Sequence, residues 1–234
     1  MRWCALALPL FAFSGGVGAE TLTYKGEWRL MHAGAATITY QPGSAGLTIK
    51  TTGFVGSLYH VDDRYTVSFD KGFCASSSFM NAEEGSKRLE TRVTFNQKPG
   101  KAELIERDLK RNVISRTNEV DVPPCVHDVI AALGRLRSLR PAQGETLHLP
   151  ISDGKKSIQA RIVAQQKETI KTPAGTFATQ RFEAFLFNGV LYRRKGRLFI
   201  WLSEDKRRVP VQIRIQLPFY IGTVTLQLVK EEES

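Results

Sequence analysis

The stretch "IWLSEDKRRVPVQIRI", Ile200 to Ile215, decides how the chain is read. Leu198-Phe199-Ile200-Trp201-Leu202 is a wholly apolar run, as in a strand with both faces covered. In Val211-Gln212-Ile213-Arg214-Ile215-Gln216-Leu217 every odd residue is apolar and every even one polar, the signature of a strand with one buried face. Between them stands a Glu–Asp pair next to three bases. Acid/base machinery would need a second carboxylate across a cleft, or a base with a shifted pKa in an apolar pocket. The sequence supplies neither. Charged residues between two strong strands are what an exposed turn requires, with Glu204, Asp205, Lys206, Arg207 and Arg208 solvating one another there. The stretch reads as a β-hairpin.

The same two-residue period extends outward in both directions. Pro218 interrupts it, and it resumes from Phe219 to Val229. Upstream it recurs at Leu22–Leu30, Ala35–Tyr40, Leu47–Thr51, Tyr65–Phe69, Arg88–Phe95, Ala102–Arg107, Ile158–Ala164 and Phe177–Phe187. Turn signals such as "QPGSAG", "KPGK", "SDGKK", "TPAGT" and "FNGV" separate the runs, which predicts an antiparallel meander. One segment breaks the period. Val126, Val129, Ile130, Leu133 and Leu136 form a helical stripe, led in by Asp121 and Pro123-Pro124 and stopped by Pro141. Arg135, Arg137 and Arg140 suit the negative end of that helix, and His127 and Asp128 fall in its first turn. The predicted fold is all-β: a curved antiparallel sheet, half-barrel or spiral barrel, with one amphipathic helix against its concave face. No repeat or linker divides residues 20–234, so they are read as a single β domain.

Residues 1–19, "MRWCALALPLFAFSGGVGA", have the layout of a cleavable secretory signal: Arg2, an apolar stretch from Ala5 to Phe13, then small residues ending at Ala19. Cleavage after Ala19 would leave 215 residues with 32 Lys+Arg against 23 Asp+Glu. No later segment has the roughly 18 uninterrupted apolar residues of a membrane-spanning helix. The expected location is the periplasm. Export disfavours nucleic acid as a partner despite the basic balance, and favours lipids or anionic envelope polymers. With Cys4 removed, Cys74 and Cys125 remain, and an oxidising compartment favours a disulfide between them over a thiol nucleophile or metal ligand.

The search for chemistry yields little. His32, His60, His127 and His148 include no pair at metal-ligand spacing, and no Gly-x-Ser-x-Gly elbow is present. Neither a metal nor a cofactor is expected. His60-Val61-Asp62-Asp63-Arg64 gathers two acids, but without further oxygen ligands it reads as a turn rather than a calcium site. Two features point to binding instead. The runs Phe182–Phe187 and Leu198–Leu202 are apolar on both faces, so Phe185, Phe187, Phe199 and Trp201 are candidates to line a cavity. Arg193, Arg194, Lys195 and Arg197 would form a basic rim beside it, suited to an acidic amphiphile.

Four blocks in order, "ETLTYKGEWRLMHAGAATITY" (Glu20–Tyr40), "PPCVHDVIAALGRLRSLRPAQGE" (Pro123–Glu145), "TPAGTF" (Thr172–Phe177) and "IWLSEDKRRVPVQIRIQLPFYIGTVTLQL", resemble the exported bacterial domain-of-unknown-function family 3108. The helix block reads Asp128-Val129-Ile130-Ala131 where the family has Asp-Pro-Leu-Ser. The resemblance implies an envelope-associated β protein, akin in shape to half-barrels that carry lipoproteins or lipids through the periplasm, and it carries over no catalytic residues. The expected function is non-enzymatic binding of an apolar or amphipathic envelope molecule. The rival is an envelope interaction protein that holds a partner through a sheet edge or basic surface. A hydrolase would require polar side chains clustered in a cleft.

Overall fold

The structure, a computed structural model, describes residues 18–186, 196–218 and 222–233. Its strands are β1 (Glu20–Trp28), β2 (Met31–Gln41), β3 (Ser44–Thr51), β4 (Val61–Phe69), β5 (Ala75–Glu84), β6 (Lys87–Asn96), β7 (Lys101–Asp108) and β8 (Val113–Asp121). They continue as β9 (Thr146–Ser152), β10 (Ser157–Thr172), β11 (Gly175–Phe185), β12 (Arg197–Ser203), β13 (Pro210–Gln216) and β14 (Thr223–Glu233). The helices are α1 (Gly53–Leu58) and α2 (Val129–Ser138). All fourteen strands form one antiparallel sheet in the order β8-β7-β6-β5-β4-β3-β2-β1-β14-β13-β12-β11-β10-β9. Successive strands pair with each other except β8 and β9, and the two terminal strands, β1 and β14, pair as well. The wall therefore curls into a ring left open between β8 and β9, where α2 stands in the sequence.

Alternation puts one face of this wall inside. Leu22, Tyr24, Ile38, Val67, Leu104, Ile162, Phe182, Leu202, Val211 and Leu228 are almost fully buried in one core with Leu136 of α2. Ala36, Ala45, Ala102, Ala131 and Ala160 keep the layers thin enough for a helix to enter. Gly134 serves the same end: a Cβ there would lie 2.5 Å from Cε1 of Phe73 and 3.2 Å from Cε1 of Tyr40. Asp128 caps α2 rather than sitting in its first turn, and Val126 precedes the helix. Its Oδ1 accepts the N–H of Ile130 at 2.8 Å, satisfying a donor that would otherwise be buried unpaired. Cys74 and Cys125 form a disulfide that ties the β4–β5 connection to the segment leading into α2.

Several elements depart from the sequence reading, each for a local reason. The run Leu22–Leu30 ends at Trp28, because Arg29 and Leu30 make a two-residue turn with φ of 49° and 68°. That mirror-image turn matches strand twist but is normally marked by Gly or Asn, absent here. Strand β5, "ASSSFMNAEE", presents Ala75, Ser78 and Ala82 to the interior and so lacks an apolar alternation. Strand β8 is an edge with Val113 to Thr117 all exposed. Strand β9 carries Pro150, tolerated because β9 is the other edge. Asp62 and Asp63, read as part of a turn, lie in β4. The short α1 is a second helix where one was expected.

Candidate functional site: an apolar mouth opposite a polar stopper

Connections in an antiparallel ring emerge alternately at its two ends, and here the ends differ. One end is closed. Arg137, near the end of α2, makes a two-pronged pair with Glu20 of β1 at 2.5 and 2.7 Å, and its Nε donates to the carbonyl of Arg208 at 3.0 Å. The hydroxyl of Tyr24 donates to the carbonyl of Pro210 at 2.8 Å. Arg207 pairs with Glu231 at 2.7 Å. The segment before α2 laces two strands: the N–H of Ala75 donates to Val126, that of His127 to Pro150, and that of Ser152 to His127. The hairpin 204–209 belongs to this end. Asp205 accepts the N–H groups of Arg207 and Arg208, as a turn carboxylate does. Arg208 itself is not in solvent: it is buried at φ 50°, with its guanidinium 5.4 Å from the Phe182 ring centroid. Burial, with the Arg140 charge adding to it, pulls its pKa down to about 10.

At the other end the interior empties. On β14 Leu228 is fully buried, but Leu226 and Val224 are only half-buried. On β13 the same gradient runs from Val211 to Ile213 and Ile215, and on β1 from Tyr24 to Trp28. Into this space opens a cavity of about 340 Å³, walled by Trp28, Ile49, Val55, Leu58, Val224 and Leu226. Gly26 adds room, because it contributes no side chain where a Cβ would lie 3.6 Å from Leu226. Ile49 is shared with a second cavity of about 250 Å³ beneath it, bounded by Asp63, Tyr65, Ser78 and Asp128 together with Val129 and Val93.

This second chamber holds the polar handles of the interior. Tyr65 donates its hydroxyl to Oδ2 of Asp128, whose other oxygen caps α2, so that carboxylate is committed to structure. Burial holds the Asp128 pKa above the ordinary carboxylate range. Asp63 accepts one backbone bond, from the N–H of Glu83 at 3.1 Å. Burial first, and the neighbouring Glu84 charge second, raise its pKa to about 6. Two neighbouring apolar chambers that share Ile49, one of them lined by the Asp63 carboxyl, can accommodate an apolar chain and a hydrogen-bonding group. Among the described residues no three His, Cys, Asp or Glu side chains are grouped to hold a metal ion.

The residues expected to line the cavity fall elsewhere. Phe182, Ala184, Leu198 and Ile200 pair along the inner face, so Phe185, Phe199 and Trp201 point to the outer one. There they are roofed by arginines. Arg161 stacks on Phe185, Arg197 and Arg181 on Phe199, and Arg214 on Trp201. Trp201 donates its ring N–H to Glu168 at 2.9 Å. Arg197, expected in a basic rim, pairs with the buried Glu183 at 2.7 Å on this outer face and holds that carboxyl below its usual pKa. Phe187, Arg193, Arg194 and Lys195 lie outside the described residues. The two-face apolar pattern thus reflects aromatic–arginine packing on the convex side. The lining of the 340 Å³ cavity was partly visible, since Trp28 continues the inner face of Leu22 and Tyr24, but the six-residue α1 left no periodic signal.

These features define a class: an open β-barrel with an internal helix, laced by polar contacts toward one end and hollow toward the other. The chain belongs to the family described as "Protein of unknown function (DUF3108)", which matches residues 22–229. Among solved structures it is similar to a beta-barrel-like protein of domain of unknown function DUF1849 from Brucella abortus, with 10% identity, TM-score 0.62, and coverage of 94% of this chain and 99% of that one. A DUF1089 family protein from Pseudomonas aeruginosa aligns at 9% identity and TM-score 0.41 over 94% and 97% of the two chains. A protein from Bacteroides fragilis, described as exported and with a YmcC-like fold, aligns at 7% identity and TM-score 0.30 over 91% and 95%. No curated protein matches the sequence.

Proposed function

We propose that this protein is an exported, non-enzymatic binding protein that takes the apolar chain of an envelope amphiphile, such as a fatty acyl group, into the open end of its half-barrel. The observation that carries this reading is the 340 Å³ cavity walled by Trp28, Val55, Val224 and Leu226, set where the core stops being filled. Its volume falls within the roughly 300–1,000 Å³ of small-molecule sites. An empty greasy space of this size costs the folded state dispersion contacts, and a chain-shaped ligand would restore them. The leader-like residues 1–19 support export to the periplasm.

Protein purified gently from its own envelope, extracted into organic solvent and analysed by mass spectrometry, should carry lipid in near-stoichiometric amount. It should also take up a fluorescent fatty acid, and Leu226→Trp, which fills the cavity, should weaken uptake about tenfold or more. Repeatedly empty protein that ignores the fluorescent fatty acid would refute the proposal.

A further inference from the structure

The second chamber, of about 250 Å³, contains a carboxyl that the rest of the fold leaves half-used. Asp63 is only 7% exposed, yet a single backbone N–H, that of Glu83 at 3.1 Å, reaches its Oδ1. Its Oδ2 has no hydrogen-bond or ion-pair partner among the described residues. The other acids of the wall differ. Asp128 is bonded through both oxygens, by the Tyr65 hydroxyl and by the N–H of Ile130. Asp153 accepts the N–H groups of Lys155 and Lys156 in the turn between β9 and β10. A buried carboxylate is ordinarily paired, because a lone charge in a greasy surrounding is costly. Asp63 faces a cavity instead.

The cations around it are engaged elsewhere. Lys155, on the chamber wall, stands 3.3 Å from Glu106. Lys50 on β3 pairs with Asp62 at 3.0 Å, and Arg88 on β6 with Glu83 at 2.9 Å. Glu84, at the end of β5, adds like charge; after burial it is the second cause of the Asp63 pKa of about 6. Leu47, Ile49, Met80, Val93 and Val129 make much of the remaining wall apolar. Among the described residues no three His, Cys, Asp or Glu side chains are grouped to hold a metal ion. The positive group that fits is therefore one that a single carboxylate can hold.

We propose that this chamber binds the protonated primary amine of a ligand, the ammonium donating to Oδ2 of Asp63 and the adjoining carbons packing against Ile49, Val93 and Val129. An ammonium brings hydrogen-bond donors and the missing charge together. A carboxylate would bring further acceptors and negative charge to a wall that already holds Asp63, Asp128 and Asp153. The inference deepens the binding function above by naming the ligand's polar group, yet it stands on this chamber alone. Because the two chambers share Ile49, the amine has two possible sources. One is a short free amine; the other is the head of an amphiphile whose chain lies in the 340 Å³ cavity.

The test is calorimetric titration at pH 7.5 with hexylamine, hexanol and hexanoate. Hexylamine should bind about tenfold or more tightly than hexanol, and hexanoate more weakly than either. Asp63→Asn, which keeps the oxygen bonded to Glu83, should bind hexylamine no better than hexanol. Glu119→Gln, on the exposed edge strand β8, should keep the wild-type preference and so separates the chamber from overall charge. Hexylamine affinity should fall as pH drops through about 6, where Asp63 takes up a proton. Dodecylamine distinguishes the sources. Displacement of the fluorescent fatty acid by dodecylamine but not by hexylamine assigns the amine to an amphiphile, whereas hexylamine binding with no displacement by dodecylamine assigns it to a short ligand. Hexylamine is titrated without fatty acid, so failure of this inference is distinct from failure of acyl uptake. Folded protein that ignores hexylamine, hexanoate that binds as tightly as hexylamine, or an unchanged preference in Asp63→Asn overturns the proposal.

Discussion

The two ends of this barrel are built from the same strands and differ in what fills them. Toward the closed end the interior is occupied by α2, the Glu20–Arg137 pair, the disulfide and the buried Arg208, beside an open recess lined by Tyr40, Phe69 and Phe73. At the open end the same strands run on past the helix, and among the described residues Ile213, Ile215, Val224 and Leu226 have no such filler. A sheet can be stabilised along one part of its length and kept hollow along another, because a helix of ten residues cannot fill a barrel whose strands reach sixteen. The difference teaches that stability and binding can be assigned to opposite ends, and substitutions should separate them.

The largest effects belong to the closed end. Replacing Cys74 and Cys125 by alanine opens a loop of 51 residues, which the chain-entropy account values at about 4 kcal/mol. Chemical denaturation should show a loss of that order, while fatty acid uptake per folded molecule stays unchanged. Next comes Arg137→Ala, which strands the Glu20 carboxylate and orphans the carbonyl of Arg208. A loss of about 3 kcal/mol is expected from breaking such a mostly buried pair, again measured by denaturation and again without effect on uptake.

Smaller effects mark the interior between the ends. Asp63 has a folded pKa of about 6, raised from 3.8, so folding favours its protonated form. Its contribution is fully present below pH 3.8 and is lost as pH rises through about 6. At pH 7.5 the ionised carboxylate therefore costs at most about 3 kcal/mol. Asp63→Asn keeps the oxygen that accepts from Glu83, and should raise the unfolding midpoint at pH 7.5 but leave it unchanged at pH 3.5. An advantage that persists at low pH would show that the residue is not desolvated as described. The smallest stability change is expected on the open rim. Leu58→Gln exchanges an exposed side chain and should alter stability by less than about 0.5 kcal/mol. The same variant should nevertheless weaken uptake measurably, since Leu58 lines the cavity.

How much of this was legible in the sequence follows from which residues carry a period. The hairpin at 204–209 and the strands flanking it were plain, because Val211 to Leu217 alternate without error and Leu198 to Leu202 are apolar throughout. The helix was plain too, since Val129, Ile130, Leu133 and Leu136 keep a 3.6-residue stripe. Strand β5 was hidden because its inward residues are the small Ala75, Ser78 and Ala82, and β8 because Val113 to Thr117 are all exposed, so neither shows an apolar alternation. The outward placement of two expected lining residues was hidden for a related reason. Phe199 and Trp201 look like lining, yet a roof of arginines can bury an aromatic ring as completely as a core does. Nothing in the order of residues says which face of an apolar strand is roofed by cations.

That ambiguity also supplies the most direct test of the central claim, that the hollow end receives an apolar chain. After residue 19 the chain has two tryptophans, Trp28 in the cavity wall and Trp201 under its arginine roof. Titration with a brominated fatty acid, which quenches indole fluorescence on contact, should be followed in Trp201→Phe and in Trp28→Phe. The account predicts saturable quenching when only Trp28 remains and none when only Trp201 remains. Equal quenching of both, quenching of Trp201 alone, or no quenching in either would contradict it.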